Sequence, residues 1–361
     1  MTVTAAALRA LAEHPPTDAT ARRELYSAAQ ALMFAVEGPM DTEFRMFFVM
    51  QAQAWAAART TSDLNIFETL AANPDKAWKV DDLGEVSGAE PALLPASPSF
   101  KLGLKAHEGG KTLLSLPGFL AESGYRTPVD PSKSLFAKVH GMSIFEKLEQ
   151  DPQRAALMFE FMAEHRKKLP TWMNGSISTK DFQLSDDDQT AGRVMMVDVG
   201  GGAGHQCHAF RVAFPQLKGK MVVQDLAVMV DMIDKRQASA IELEPMAHDF
   251  FTTQPIKHAK VYHLRNVLHD WADESAFKIL EQLRPAMAPD SAVVIDEIVI
   301  PPTGANHKLL DYDLTMMSSA SALERTEKQW RALIERSGMK LRDIWIYDVD
   351  MQWALIVAVP N

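Results

Sequence analysis

The spacing of hydrophobic residues changes near residue 193 and divides the chain into two parts. Before that point, apolar positions recur at intervals typical of helices with one buried face. After it, short apolar runs alternate with helical stretches. The change predicts an N-terminal, mainly helical domain over residues 1–170 and an α/β domain over residues 171–361. The polar stretch at 175–191 leads into the second domain.

The second part has strand and helix patterns in alternation. Strands are predicted at 194–199, 220–225, 241–245, 259–264 and 291–300, and helices at 204–214, 226–236, 273–286 and 326–337. A series of this kind predicts a parallel sheet with helices on both faces. Two further strands, at 342–347 and 352–359, are joined by a short turn, and a link that short requires them to run antiparallel.

Helical patterns dominate the first part, and one of them is apolar on more than one side. The helices are predicted at 21–35, 41–59, 112–122, 136–148 and 155–168. The wide apolar surface of 41–59 predicts a subunit interface, and the alternative is an interior helix of a monomer.

Composition and charge exclude several classes of function. The 361-residue chain has 47 acidic and 37 basic residues, a net charge of −10, which disfavours binding to nucleic acid or to anionic membranes. Residues 80–94 resemble half of a helix-turn-helix, but Pro95 and Pro98 interrupt the place where a DNA-reading helix would follow. No apolar run is long enough to span a bilayer. A single cysteine, Cys207, excludes an intramolecular disulfide, so a cytoplasmic location is expected.

A glycine-rich turn follows the first strand of the α/β part. Gly200, Gly202 and Gly204 come directly after Asp198, and a helical run begins at His205. Glycine lets the backbone approach a ligand closely and adopt a positive φ. The pattern departs from the dinucleotide fingerprint at position 205 and suits S-adenosylmethionine, which has no pyrophosphate. The alternative is a tight turn that only packs the strand against the helix.

Acidic residues after the next two strands are candidates for holding the same ligand. Asp225 ends the second strand, where an acid can accept hydrogen bonds from ribose hydroxyls. Its alternative role is to cap the helix that follows. Asp249 and Phe250 come after the third strand and offer a carboxylate for the adenine amine and a ring for its face. Asp249 has the alternative role of a simple turn residue.

His269 is the candidate for the chemical step. It lies in the motif at 264–271, after the fourth strand, at the edge where open α/β sheets bind ligands. A histidine there can take a proton from a phenol at neutral pH, although lone histidines are often structural. Glu297 interrupts an otherwise apolar strand, where a charge needs a partner. Glu297 and Glu324 are both predicted to orient the imidazole, and Glu324 has the alternative role of a helix N-terminal acid.

Together these motifs resemble the plant caffeic-acid-type and fungal O-methyltransferases. The resemblance rests on 197–204, Asp225, 268–271, Glu297 and 324–326, and it extends from about residue 41 to the C-terminus. It implies a Rossmann-like α/β methyltransferase domain after an N-terminal, mainly helical, winged-helix-like dimerisation domain. It also implies a homodimer, S-adenosylmethionine as the methyl donor, a small aromatic or polyketide-type acceptor, and no metal.

The resemblance also assigns roles to individual residues. The residues implied to hold S-adenosylmethionine are Gly200, Gly202, Asp225, Asp249, Phe250 and Arg265. The implied catalytic residues are His269 as general base with Glu297 and Glu324 beside it. The residues implied to line the acceptor pocket are Met158, Met162, His165 and Met316.

One departure from the family leaves the acceptor open. A second helix and a β wing normally follow the first half of the helix-turn-helix, but here the short segment 94–99 takes their place. Two other activities stay open as well. One is a methyltransferase-fold enzyme that uses S-adenosylmethionine without consuming it, such as a pericyclase or cyclase. The other is N-methylation of an indole-type metabolite. The presence of His269 with two acids argues against the first.

Overall fold

The computed structural model describes most of the C-terminal two thirds of the chain and parts of the remainder. The described residues are 7–8, 10–11, 14, 16–36, 38, 72, 112, 115–124, 126–158, 171–174, 182–231, 233, 235–305 and 307–361. The chain divides into two compact units, Met1–Met50 and Gln51–Asn361. The domain boundary at residue 170 stays a prediction. The predicted helix at 41–59 and the segments at 80–94 and 94–99 lie outside the described residues.

The first unit contains helix α1, Ala19–Val36, which confirms the helix predicted at 21–35. The Asp18 carboxylate caps its start by accepting a hydrogen bond from the backbone N–H of Ala21 at 2.8 Å. Across all the described residues of both units, no helix is long and apolar enough to cross a membrane.

The second unit begins, within its described part, with short helices. They are α2 (Leu116–Glu122), α3 (Leu135–His140) and α4 (Ile144–Gln150). The prediction of one helix at 136–148 is wrong because Gly141 ends α3 with a φ of +79°. Ser143 then starts α4 through a capping box with Glu146.

The rest of the second unit alternates strands and helices as predicted. The strands are β1 (Met196–Val199), β2 (Met221–Asp225), β3 (Leu243–Ala247), β4 (Val261–Arg265), β5 (Ala292–Ile300), β6 (Arg325–Thr326), β7 (Met339–Asp348) and β8 (Trp353–Pro360). The helices are α5 (Asp186–Thr190), α6 (His205–Ala213), α7 (Ala227–Val230), α8 (Lys235–Ala240), α9 (Asp273–Leu283), α10 (His307–Ala320) and α11 (Glu327–Arg336). The helix predicted at 226–236 is therefore two shorter helices, α7 and α8.

Within the described residues the main sheet has the strand order β3-β2-β1-β4-β5-β8-β7. Strands β1 to β5 pair in parallel, and β8 pairs antiparallel with both β5 and β7. The Rossmann-like class is thus confirmed, together with its antiparallel terminal hairpin. The strand order reverses between β1 and β4, and open α/β sheets bind ligands beyond the carboxyl ends of strands at such a point.

Two apolar layers cover the sheet. On one face, α9 and α11 bury side chains such as Ile279 and Trp330 against it. On the other face, Phe210 of α6 packs with Trp172 and Phe182. Alternate residues of the central strands contribute to the two layers, so the sheet is buried on both sides and its carboxyl edge is held rigidly.

Candidate active site

The glycine-rich turn after β1 forms a cradle at the reversal point of the sheet. The backbone N–H groups of Gly200 and Gly201 both donate to the carbonyl oxygen of Gln224, at 2.8 and 3.1 Å. Gly200 has a φ of +70°, and a Cβ there would lie 2.8 Å from Cγ2 of Val267. The turn therefore needs glycine at position 200 both for its backbone conformation and for the space that a side chain would occupy.

Asp225 joins the end of β2 to this turn. Its Oδ2 accepts a hydrogen bond from the backbone N–H of Gly202 at 2.8 Å, and its Oδ1 accepts one from Leu226 at 2.7 Å. The N-cap residue of α7 is Leu226, without a side-chain cap, so Asp225 does not take its alternative role as a helix cap. The structure brings together three predicted ligand-binding residues, Gly200, Gly202 and Asp225.

A buried acid–imidazole pair lies beneath the cradle. Asp198 Oδ1 is 2.8 Å from Nδ1 of His263, and both residues are 1% exposed. The pair links β1 to β4 directly under the glycine turn. His263 was not predicted from the sequence, although a polar residue within an apolar strand is the same signal that marked Glu297.

Phe250 closes one side of the cradle. Its Cε1 atom lies 3.6 Å from the position that a Cβ of Gly200 would take. Asp249 is exposed, and its Oδ1 accepts a hydrogen bond from the backbone N–H of Phe251 at 2.9 Å. Asp249 is therefore a turn residue, which was the alternative role given to it above. The same hydrogen bond fixes its carboxylate next to Phe250.

Arg265 is buried at the end of β4, beside the first turn of α6. Its Nη1 donates to Gln206 Oε1 at 2.9 Å, and its Nε lies 3.4 Å from Asp296 Oδ2. Asp296 in turn accepts a hydrogen bond from the Tyr347 hydroxyl at 2.7 Å. The positive charge of Arg265 is therefore balanced within the protein. These contacts of Gln206, Asp296 and Tyr347 were not predicted from the sequence. The one signal for them is that β5 contains a second acid, Asp296, next to Glu297.

His269 lies in a 3-10 turn, Leu268–Asp270, that follows β4. The residue is 3% exposed. Its Nδ1 is 2.7 Å from Glu324 Oε1, and its Nε2 is 3.5 Å from Asp270 Oδ1. The Tyr312 ring stacks on the imidazole, with ring centroids 6.0 Å apart. The structure therefore places Glu324 in direct contact with the imidazole, as the sequence predicts.

Glu297 lies beside His269, as predicted, but it bonds the backbone and not the ring. Its Oε1 accepts hydrogen bonds from the backbone N–H groups of Val267 and Leu268, at 3.0 and 2.7 Å. Glu297 thus holds the backbone that leads into the turn, while Glu324 holds the ring. Glu324 is itself held by Asp313, which accepts a hydrogen bond from its backbone N–H at 2.8 Å. Asp313 was not identified from the sequence, because its contact with Glu324 becomes visible only in the structure.

The three side chains form one buried charged group. His269, Glu297 and Glu324 each offer a ligand atom, and these atoms lie within 4.8 Å of one another. Glu297 Oε2 and Glu324 Oε2 have no hydrogen-bond partner among the described residues. Such a set has the donor types of a metal site. However, one oxygen of each acid already accepts a hydrogen bond from the turn or from the ring.

Burial and like charges shift the pKa values of this group. Burial lowers the pKa of the His269 imidazole, but Asp270, Glu324 and Glu297 outweigh it and raise the pKa to about 10. Burial, together with the nearby charge of Glu324, raises the pKa of Glu297 to about 7, against the opposing effects of His269 and Arg325. The imidazole is therefore stabilised in its protonated form.

Aromatic side chains lie next to the histidine turn. Trp271 stacks on Phe145 of α4 with centroids 5.1 Å apart, and it meets Phe250 and Phe251 edge to face. These rings connect Phe250, at the side of the cradle, to the turn that carries His269. They form an apolar surface suited to flat ligands.

The residues predicted to line the acceptor pocket are described only in part. Met158 and Met316 are both half-buried. Met316 lies four residues after Tyr312 in α10, so the two share one face of that helix. Met162 and His165 lie outside the described residues. The acceptor pocket as a whole therefore stays a prediction.

A known protein family matches the part of the chain that contains this site. Residues 126–340 match a family described as the O-methyltransferase domain. The match includes the glycine turn, the His269 turn, Glu297 and Glu324.

Two similar proteins are fungal. The O-methyltransferase ucdC of Aspergillus ustus is 32% identical over 381 aligned residues, which cover 96% of this chain and 97% of that protein. The demethylsterigmatocystin 6-O-methyltransferase of Aspergillus parasiticus is 38% identical over 251 residues. That match covers 68% of this chain and 62% of the relative.

Solved structures share the architecture over nearly the whole chain. LepI in complex with S-adenosylmethionine has a TM-score of 0.74 and 26% identity, and the match covers 99% of this chain and 98% of that one. A structure described as a pericyclic reaction enzyme has a TM-score of 0.73 and 27% identity, with 99% of each chain covered.

Proposed function

Because this chain belongs to the O-methyltransferase domain family and is an S-adenosylmethionine-dependent methyltransferase, we propose that it methylates a hydroxyl of a small aromatic, polyketide-type metabolite. A relative with 38% identity is named for 6-O-methylation of demethylsterigmatocystin, which supports this acceptor class. The observation that carries the proposal is the buried contact between His269 Nδ1 and Glu324 Oε1, at 2.7 Å.

The methyl donor binds at the glycine cradle in this proposal. When bound, S-adenosylmethionine supplies a methyl group already activated on a positively charged sulfur. The donor would lie against the backbone of the cradle at Gly200 and Gly202, whose positive φ values of +70° and +57° glycine adopts without strain. Asp225 offers its carboxylate to hydroxyl groups, and Phe250 covers one side. Asp249 and Arg265 complete the proposed set, with Asp249 exposed at the rim and Arg265 beside α6.

His269 acts as the general base. The base is the neutral form of the imidazole, whose population grows as the pH rises towards the His269 pKa of about 10. In that form Nδ1–H donates to Glu324, and the lone pair of Nε2 is left to accept a proton from the acceptor hydroxyl. The negative charge of Glu324 then stabilises the imidazolium that forms. Glu297 contributes by holding the backbone N–H groups of Val267 and Leu268. A general base of this kind contributes roughly 10²- to 10⁴-fold to the rate, and alignment of the reacting atoms supplies much of the remainder.

The acceptor class is tested with S-adenosylmethionine labelled on its methyl group. The enzyme is incubated with phenols, including demethylsterigmatocystin, and with indoles as the comparison set. We expect label on a phenolic oxygen, one S-adenosylhomocysteine per product, and the same rate in EDTA, since the mechanism uses no metal. Label found only on nitrogen, or loss of activity on chelation, would contradict the proposal.

A pericyclic reaction is the second candidate. The observation in its favour is the TM-score of 0.73, over 99% of both chains, with the structure described as a pericyclic reaction enzyme. Such a reaction would release rearranged product without forming S-adenosylhomocysteine. The same assay separates the two candidates, because methyl transfer gives equal amounts of S-adenosylhomocysteine and methylated product. A base held by Glu324 has a clear use in methyl transfer, and for that reason we place O-methylation first.

Assembly and location complete the proposal. We propose a homodimer formed through a winged-helix-like N-terminal domain, in the cytoplasm. The support is the resemblance to the family, the apolar pattern at 41–59, and a single cysteine in the chain. Light scattering of the purified protein should give twice the 40.1 kDa mass of one chain. A monomeric mass across the working concentration range would contradict the dimer.

A further inference from the structure

Arg325 grips the backbone of the turn that carries His269. Its Nη1 donates to the carbonyl oxygen of Leu268 at 2.8 Å, and its Nη2 donates to that of Trp271 at 2.7 Å. These two carbonyls stand on either side of the 269–270 segment. Arg325 is 0% exposed, so its planar guanidinium bonds the turn without competition from water.

Asp273 of α9 and the Trp330 ring hold the guanidinium of Arg325 in place. Its Nε donates to Asp273 Oδ1 at 2.9 Å, and its centre lies 5.1 Å from the Trp330 ring centroid. Strand β6 pairs with β5 through Val299 and Arg325. Arg325 is thus anchored to the sheet by its backbone and to α9 by its side chain.

The turn is held at both ends by charged side chains. Glu297 accepts the N–H groups of Val267 and Leu268, while Arg325 donates to the carbonyls of Leu268 and Trp271. Glu324, next to Arg325 in sequence, bonds the imidazole. The adjacent residues Glu324 and Arg325 therefore have complementary contacts: Glu324 bonds the His269 ring, and Arg325 bonds the backbone on either side of it.

We propose that Arg325 is a positioning residue for the general base, setting the direction of Nε2 through the backbone of the turn. The inference rests on the proposed function of His269. Arg325 contacts the carbonyls of the turn and acts on the reaction only through His269. Misplacement of a reacting group by about 1 Å can lower a rate on the order of 10²-fold, so loss of the clamp should reduce kcat rather than binding of the methyl donor.

The chain offers a matched control at the other end of α11. Arg336 donates to Glu274 through Nη1 and Nη2, at 2.6 and 2.7 Å. Asp273 and Glu274 are neighbours in the first turn of α9, and each bonds a different arginine. Of these two arginines, Arg325 is the one that also bonds the backbone of the His269 turn.

The first arm of the test uses these neighbouring acids. The Asp273 and Glu274 side chains are 54% and 71% exposed, so Asp273→Ala and Glu274→Ala should both fold. We expect Asp273→Ala to lower kcat about 3- to 10-fold, the size expected for the loss of one ordinary hydrogen bond at a half-exposed carboxylate. The KM for S-adenosylmethionine should not change, and Glu274→Ala should match the parent enzyme in both constants.

The second arm removes the clamp itself. Arg325→Ala should lower kcat by about 10- to 100-fold, and Arg325→Lys should recover only part of it because one ammonium lacks the planar fork. Added guanidinium at a non-denaturing concentration should partly restore the activity of Arg325→Ala. It should have no such effect on Arg336→Ala or His269→Ala. A purely structural arginine would give no such selective rescue.

The outcomes separate this inference from the function on which it rests. If Arg325→Ala does not fold, the comparison of Asp273→Ala with Glu274→Ala decides. Equal kcat in those two variants would overturn the inference, as would an increase in KM for S-adenosylmethionine as large as the fall in kcat. If His269→Ala keeps full activity, the proposed base is wrong, whatever the Arg325 variants show.

Discussion

At the scale of single residues, two glutamates beside one histidine take unlike roles. Glu324 Oε1 bonds the ring at 2.7 Å, and Glu297 Oε1 bonds two backbone N–H groups. All three groups are buried together, so their charges interact strongly. The division of roles makes the effects of the two acids separable by mutation.

Glu324→Gln tests the contact with the ring. An amide cannot stabilise the imidazolium as a carboxylate does, so we expect kcat to fall about 10²-fold or more. The calorimetric Kd for S-adenosylmethionine should stay within about twofold, as expected for a group that acts in the transition state and not in donor binding. Glu327→Gln, an exposed acid three residues later, is the control. Equal kcat in both variants would contradict the role of Glu324.

The pH dependence of kcat/KM tests the charge around His269. A base must be neutral to accept a proton, and the carboxylates raise the pKa of His269 to about 10. Activity should therefore rise with pH through the range from neutral to about 10, and Asp270→Asn should move this rise to lower pH by removing one raising charge. The same acceptor is used for both enzymes, so its own ionisation cancels. A shift to higher pH would contradict the account.

At the scale of elements, the turn after β1 and the turn after β4 meet at the reversal point of the sheet. A Cβ on Gly200 would meet Val267, the residue that precedes the His269 turn. The glycine cradle therefore packs directly against the residue that leads into the His269 turn. Both turns follow short apolar strands, and this local pattern is why the sequence predicts them correctly.

Gly200→Ala tests the cradle. The new methyl would lie 2.8 Å from Val267 Cγ2 in a backbone with φ +70°, so we expect the Kd for S-adenosylmethionine to rise roughly 10-fold or more from strain and lost space. Gly304→Ala is the matched control, because Gly304 has φ +72° and nothing within 4 Å of its Cβ position. It bears the same backbone cost without the clash. An unchanged Kd in Gly200→Ala would rule out the cradle as the donor site.

Local breaks within elements were harder to predict than the elements themselves. The pattern at 136–148 has helical spacing throughout, yet Gly141 ends one helix and Ser143 caps the next. The apolar spacing continues across the break, so periodicity alone does not locate it. The break depends on the positive φ of Gly141 and on the capping box that Ser143 forms with Glu146.

At the scale of the whole molecule, the sheet gathers residues that lie far apart in sequence. Glu324 is 55 residues from His269, and Arg325 is 57 residues from Leu268. The strand and helix pattern, with the family resemblance, predicted the sheet and the contact between His269 and Glu324, while the roles of these residues and of Asp225 stay predictions. It did not predict the clamp by Arg325, because a hydrogen bond from a side chain to a distant backbone carbonyl leaves no pattern in the residue types.

The proposed role of His269 as the base of a methyl transfer is tested by the variant His269→Ala. Two quantities are measured on the purified variant: the rate of label transfer from S-adenosylmethionine to the phenol that the parent enzyme methylates, and the calorimetric Kd for S-adenosylmethionine. We expect kcat to fall about 10²- to 10⁴-fold while the Kd stays nearly unchanged. An unchanged kcat, or a loss of donor binding that explains the lower rate, would contradict it.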